Sequence, residues 1–450
     1  MLAAMPPTSP TPVNRDEAPP RAAAETPLRE RGDACPGALR LHAADDGRLA
    51  RLRLPAGLLT LRQAQALAGA AERLGDGHLD LTSRGNVQLR GLGGSCGAEL
   101  AELLHEAGLL PSETHERVRN IVASPLAGLD ELPSADVQLW AHELDGLLCA
   151  SARAAALSGR FLFALDDGRG DVAALGADVT LLARRDGSAV VRTGANRSGP
   201  RVTPEDAPRA ALLAAETFLT FAEASGSGAW RVRELPAEDG RGLEAAVRAR
   251  LADAGIATEY VTDTTARDPE GDPPLPGSVM SPDGTVALSV HARLGRLSVA
   301  QWRLLATAAN GPLRVTPWRG VIVPGVAPAA ADGLLDRLRT AGLITDPGSP
   351  WHGVGACTGR PGCAKALADV RSDAAAAVSR HGSGGLPVYW SGCARRCGHP
   401  QGRWVDVVAT GEGRYDISVQ ADVPHTTTGP EPGLELADAV AAARTTPLTR

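Results

Sequence analysis

Aromatic side chains are scarce in this chain, making up 3% of its 450 residues. Long apolar runs are also missing: no window reaches the roughly 20 residues a bilayer-spanning helix needs, so no membrane association is expected. Excess positive charge is absent too. The formal net charge is −6, which gives no support to nucleic-acid binding through bulk charge. Residues 1–33 are rich in Pro, Ala and charge but lack the basic start and continuous apolar stretch of a secretion signal. A disordered tail and a cytoplasmic protein are expected. There are only seven cysteines. An odd set without an export signal disfavours a disulfide framework and favours metal or catalytic use of any cluster.

The remainder is ordinary globular composition, 43% apolar and 22% charged, with abundant alanine. A chain of this length predicts about two to four domains. An internal repeat organises it. "GLLTLRQAQALAGAAERLGDGHLDLTSRGNVQLRG" (57–91) is echoed by "GRLSVAQWRLLATAANGPLRVTPWRGVIVPG" (295–325). Each copy has a capping Thr or Ser, a helix with apolar spacing, a strand, a basic turn and a second strand. Before each copy lies a strand pair joined by Asp-Gly. After each comes an amphipathic helix ending at Ala-Gly, at 98–110 and 331–344.

Four cysteines fall in "GVGACTGRPGC" and "WSGCARRCGHP", as Cys357-x5-Cys363 and Cys393-x3-Cys397. Zinc knuckles favour shorter, regular spacings. An iron–sulfur cluster takes four thiolates at more varied spacing. Four unrelated buried thiols is the third reading. Cys363 is read as opening an Ala-rich helix whose amides would favour a thiolate. Glycines crowd all four cysteines and permit close approach of backbone to sulfur. The isolated Cys35, Cys96 and Cys149 read as ordinary small thiols. Arg84 lies in the repeat turn "LTSRGNVQLRG", Arg119 and Asn120 in "ERVRNIVASP", and Arg160 before "FLFALDDG". Singly each arginine reads as a solvated surface residue. Converging on one cleft, they would suit a polyanion.

Together the repeat, "LTSRGNVQLRG", "RVRN" and the C-x5-C, C-x3-C pair resemble the sulfite and nitrite reductase haemoprotein superfamily. The resemblance implies an α+β fold with pseudo-two-fold duplication. Two ferredoxin-like half domains (34–110, 278–345) would accompany two sirohaem-binding-like α/β domains (111–262, 346–450). The segment 263–277 would link the halves. It also implies that Cys357, Cys363, Cys393 and Cys397 hold a 4Fe-4S cluster, and that Arg84, Arg119, Asn120 and Arg160 bind tetrapyrrole carboxylates.

"RGDACPGALRLHAADDGRLARLRLP" and "SGCARRCGHP" are similar to one branch, the precorrin-3B synthases. Reductases usually carry Pro-Asn where Ala394 and Arg395 stand, and a Lys-x-Lys pair near Arg160, which Phe161 and Leu162 follow here. That branch implies oxygen-dependent hydroxylation of precorrin-3A at C20 with lactone formation. An additional non-haem iron is implied as well. No two-His-one-carboxylate set stands out, His399 is the histidine nearest the cysteines, and no catalytic residue is assigned. No G-x-G-x-x-G follows a strand, so a separate electron donor dependent on a reduced nicotinamide is expected. The alternative is a sirohaem-dependent sulfite or nitrite reductase.

Overall fold

The fold is given by a computed structural model, which describes residues 33, 35–132, 135–262, 271–380, 384–400, 402–420 and 435–445. The tail expected over 1–33 lies outside the described residues except for Asp33. So does the 263–270 part of the expected linker.

Among the described residues four sheets form, and two of them are near copies. The first runs in the order His42–Ala44, Gly47–Leu52, Val87–Leu92, His78–Leu81 and Arg296–Ser298. The second runs Gly277–Met280, Val286–His291, Gly320–Val326, Leu313–Val315 and Leu58–Leu59. Each half therefore lends its edge strand to the other's sheet, which the repeat alone did not reveal. In both lenders the chain turns through a left-handed residue just before the strand, Ala56 (φ 54°) and Leu294 (φ 53°).

The helices that follow, Leu61–Leu74 and Val299–Ala308, start with capping boxes. Thr60 Oγ1 and Ser298 Oγ accept from the backbone of Gln63 and Gln301, whose side chains bond back. The helices pack together, and Trp302 Nε1 donates across the seam to the Ala64 carbonyl at 2.8 Å. A single core that includes Leu67, Leu89, Leu288, Trp302 and Val323 serves both halves.

The two α/β sheets also correspond. Ile121–Ala123, Phe163–Asp166, Val179–Ala183 and Ala189–Thr193 pair parallel, parallel, antiparallel. Val354–Ala356, Val388–Ser391, Trp404–Gly411 and Arg414–Gln420 repeat that pattern. The fold is thus α+β and duplicated about a pseudo-two-fold relation.

Two local expectations fail. Cys363 does not open a helix; the helix runs Val370–Ala377, capped by Asp369. Leu367 N instead donates to the Gly392 carbonyl of the neighbouring loop and Arg360 N to the Ala368 carbonyl of its own, so loop bonds override alanine's helix preference. The basic turns are also offset by one residue. Gly85 N bonds Thr82 O in the first half, and Arg319 N bonds Thr316 O in the second. Arg319 thus matches Gly85, and Trp318 matches Arg84.

Candidate functional site

Cys357 follows the strand Val354–Ala356, and Cys393 follows its parallel neighbour Val388–Ser391. Both thiols therefore emerge at the carboxyl ends of adjacent parallel strands, where open α/β sheets carry their ligands. The two loops lie against each other because Gly392 lacks a side chain: a Cβ there would sit 2.7 Å from that of Ala366. Gly392 N donates to Cys357 Sγ at 3.2 Å. The Tyr389 hydroxyl donates to the Cys397 carbonyl at 2.6 Å.

All four cysteines are free thiols. Cys357 lies within electrostatic reach of Cys393 and Cys397, and Cys397 within reach of Cys363. Yet no three of them close to within 4.8 Å. A single zinc with Zn–S bonds of about 2.3 Å would draw its sulfurs to roughly 3.8 Å apart. An iron–sulfur cluster, larger than one ion, asks for no such closure of its four thiolates. Burial pushes the Cys357 and Cys397 thiols up, and neighbouring cysteines add to the rise. Such a set favours thiolates only when metal charge compensates them.

The first half clasps this loop. Arg90 makes a bidentate pair with Asp46 (2.7 and 2.8 Å) and donates to the Gly362 carbonyl at 2.7 Å. Ala364 N bonds the Asp45 carboxylate. Arg371 meets Asp80 at 3.2 Å.

Within electrostatic reach of Cys397 lies a group of arginines. Arg53 Nη2 and Arg84 Nη1 each reach the Gly159 carbonyl at 3.4 Å, and Asn120 Nδ2 reaches it at 2.7 Å. Arg51 donates to Gln88 at 3.1 Å, while its buried Nε has no partner. Among the described residues none of these three arginines pairs with a carboxylate. Burial lowers Arg53 to about 9 and Arg84 to about 10, and neighbouring arginine charges add to both shifts. Cys35 acts on all three, and Cys397 acts on Arg51, which is the contact of this group with the cysteine loop. Glu116 opposes the shift at Arg53 and Asp178 that at Arg84, but neither forms an ion pair with that arginine, and a desolvated cation so weakly compensated favours a ligand that supplies an anion.

The expected binding residues divide. Arg84 and Asn120 meet at Gly159, and Asn120 also accepts from Asn86. Arg119 is 5% exposed and held by Asp145 through two 2.6 Å bonds, so its guanidinium is already neutralised. Arg160 is exposed and lies 4.7 Å over the Trp230 ring. Arg51 and Arg53 went unread in the sequence. Their signal was alternation: they share one face of "ARLRL", while Ala50, Leu52 and Leu54 fill the core on the other.

Strand register places Ser124 of the first half where Cys357 stands in the second. Asp166, Asp167 and Asp171 gather there, with oxygens within 4.8 Å of one another. They form a hydrogen-bonded fill, not a cation site. Asp166 accepts from the amides of Gly168, Gly170, Val172 and Ala173. Arg169 neutralises Asp167, with its nearest bond at 2.6 Å. Asp171 accepts from Ser124 at 2.6 Å, and only its Oδ2 lacks a partner. Among the described residues no histidine joins a comparable ligand group. His399 instead stacks on Trp404, ring centroids 4.9 Å apart. Among the described residues no set fits a histidine-ligated mononuclear iron.

The model of the nitrite/sulfite reductase ferredoxin-like half domain matches residues 42–107 and again 280–341. The chain belongs to that superfamily. Within it, a ferredoxin–nitrite reductase of Synechococcus elongatus is 29% identical over 389 residues, covering 78% of this chain and 74% of its own. A precorrin-3B synthase of Sinorhizobium sp. is 27% identical over 381 residues, covering 82% and 79%. The solved structure of Mycobacterium tuberculosis NirA protein superposes with a TM-score of 0.64 at 17% identity, over 88% of this chain and 79% of that one. These relatives are redox enzymes, and this chain is an oxidoreductase of the same superfamily. No helix of the described residues is long and apolar enough to cross a membrane.

Proposed function

We propose that the protein is a precorrin-3B synthase, hydroxylating precorrin-3A at C20 and forming a lactone from the ring A acetate. The observation that carries this reading is the trio Arg51, Arg53 and Arg84, the second buried and the others half-buried, none of them in an ion pair among the described residues and Arg51 within electrostatic reach of Cys397. A tetrapyrrole with many carboxylates offers direct ion-pair partners, and arginine's planar fork binds carboxylate in two-point fashion. Asn120 fixes the Gly159 carbonyl that orients Arg53 and Arg84. Arg160, stacked on Trp230, is free to meet a further carboxylate.

Cys357, Cys363, Cys393 and Cys397 would hold a 4Fe-4S cluster, which supplies electrons singly when bound. One atom of O2 enters the substrate and the other leaves as water. The two electrons come from a reduced nicotinamide through an external carrier.

Sirohaem-dependent nitrite or sulfite reduction is the second reading, favoured by the similarity to the Synechococcus enzyme. The same arginines would then bind the carboxylates of the prosthetic group. Against it stands the chain around Arg160. Phe161 and Leu162 are buried there, Phe161 against Phe163 and Phe218 with ring centroids 5.1 Å apart, so that segment adds no cation for a small oxyanion.

Anaerobic purification with metal and sulfide analysis, an absorption spectrum and a turnover assay separates the readings. Acid-labile sulfide with precorrin-3A turnover that requires O2 supports the synthase. Sirohaem bands with nitrite or sulfite turnover would overturn it. Zinc without sulfide would remove both enzymes.

A further inference from the structure

The turn at residues 316–320 carries an arginine where its repeat partner carries glycine. Gly85 holds φ 63° in the first half, and Arg319 holds φ 58° in the second. That left-handed conformation costs a glycine nothing and disfavours every residue with a Cβ. Local backbone geometry therefore argues for glycine at 319, and what sets this position apart must be its side chain.

That side chain has a built seat. A Cβ on Gly295 would stand 2.4 Å from Arg319 Cδ, so the arginine stem passes through space only a glycine leaves open. A Cβ on Gly398 would stand 3.1 Å from Nη2. The guanidinium lies 5.4 Å from the centroid of the Tyr389 ring, and Nη2 donates to the Gly398 carbonyl at 2.5 Å. Gly398 directly follows Cys397, whose own carbonyl is held by the Tyr389 hydroxyl. Among the described residues Arg319 forms no ion pair, and its guanidinium is bonded to the cysteine loop itself.

We infer that Arg319 is a positioning residue of the cysteine centre, pinning the Cys397 loop and supplying a fixed positive charge that raises the centre's reduction potential. The inference rests on reading the four thiols as cluster ligands. One-electron reduction of such a centre adds a negative charge, and a nearby cation favours the reduced form.

The test compares the anaerobically purified protein with Arg319→Gly, Arg319→Gln and Arg319→Lys. Iron and acid-labile sulfide are measured first. Each sample is then titrated with dithionite against mediators, following the reduced centre by electron paramagnetic resonance. Arg319→Gly and Arg319→Gln should have lower midpoint potentials, and Arg319→Lys should stay close to the parent. An unchanged midpoint in glycine and glutamine variants that keep full iron and sulfide would overturn the inference. Equal loss of the centre from all three variants would overturn the charge role as well. A parent protein without sulfide removes the cluster reading itself, an outcome seen before any variant is compared.

Discussion

Arg53 is 4% exposed and donates to carbonyls of Arg117 and Gly159, not to carboxylates. Its depressed value, about 9, means that the fold disfavours the charged form. The resulting penalty is present at neutral pH and lifts only as pH rises through that value. Arg53→Met should therefore raise the melting temperature of the ligand-free protein, by a margin worth roughly 1–4 kcal/mol. The same change should shrink the thermal stabilisation given by a porphyrin octacarboxylate. A variant that melts lower and keeps the full ligand response would show that Arg53 is not part of a carboxylate cradle. Asp171 is the opposite case, an acid whose value is raised to about 7 by burial first and then by Asp166. Its ionised form is disfavoured in the fold, so the penalty is absent below about pH 4 and complete above about pH 7. Asp171→Asn keeps an acceptor for Ser124 and Val172 but removes the charge. It should melt higher than the parent near pH 8 and level with it near pH 4. A difference that stays flat across that range contradicts the assignment.

Among the elements, the exchanged edge strands tie the halves into one cooperative body. Trp302 is fully buried in the shared core and bonded to Ala64 of the other half. Trp302→Ala should cost about 3–5 kcal/mol and leave calorimetric unfolding of the half domains as a single transition. Two separate transitions in the parent would show that each half is stable alone. The capped helices and Asp-Gly hairpins were legible in the sequence because period and turn chemistry act locally. The exchange was not, since Leu58–Leu59 and Arg296–Ser298 are too short to carry a period and pair only through tertiary contact. The helix misplaced onto Cys363 failed for a related reason. Alanine-rich propensity is a weak preference; Leu367 N found its partner on the neighbouring cysteine loop, at the Gly392 carbonyl, and Arg360 N bonds Ala368 O within its own loop. Arg51 and Arg53 were missed because a buried arginine and a solvated one look alike until the other face of the strand is known to be core.

At the scale of the whole molecule, duplication supplied two equivalent loop pairs, and the halves diverged in what fills them. Carboxylates and Arg169 occupy the first, and four thiols occupy the second. The first half still serves the second by reaching across to its cysteine loop. Arg90 joins Asp46 to the Gly362 carbonyl, one residue before Cys363. Asp46→Ala leaves Arg90, 5% exposed, without its counter-charge. The loss should be about 1–3 kcal/mol, less than for a fully enclosed pair because Asp46 keeps a quarter of its side chain in solvent. Freed from Asp46, Arg90 can swing away from Gly362, and the Cys363 loop loses its tether to the first half. In protein loaded with the proposed cluster, iron release to a chelator should then quicken relative to the parent. Release at the parental rate from an otherwise intact variant would mean that the second half holds the cysteine loop alone, and that the contact between halves merely packs two finished units together.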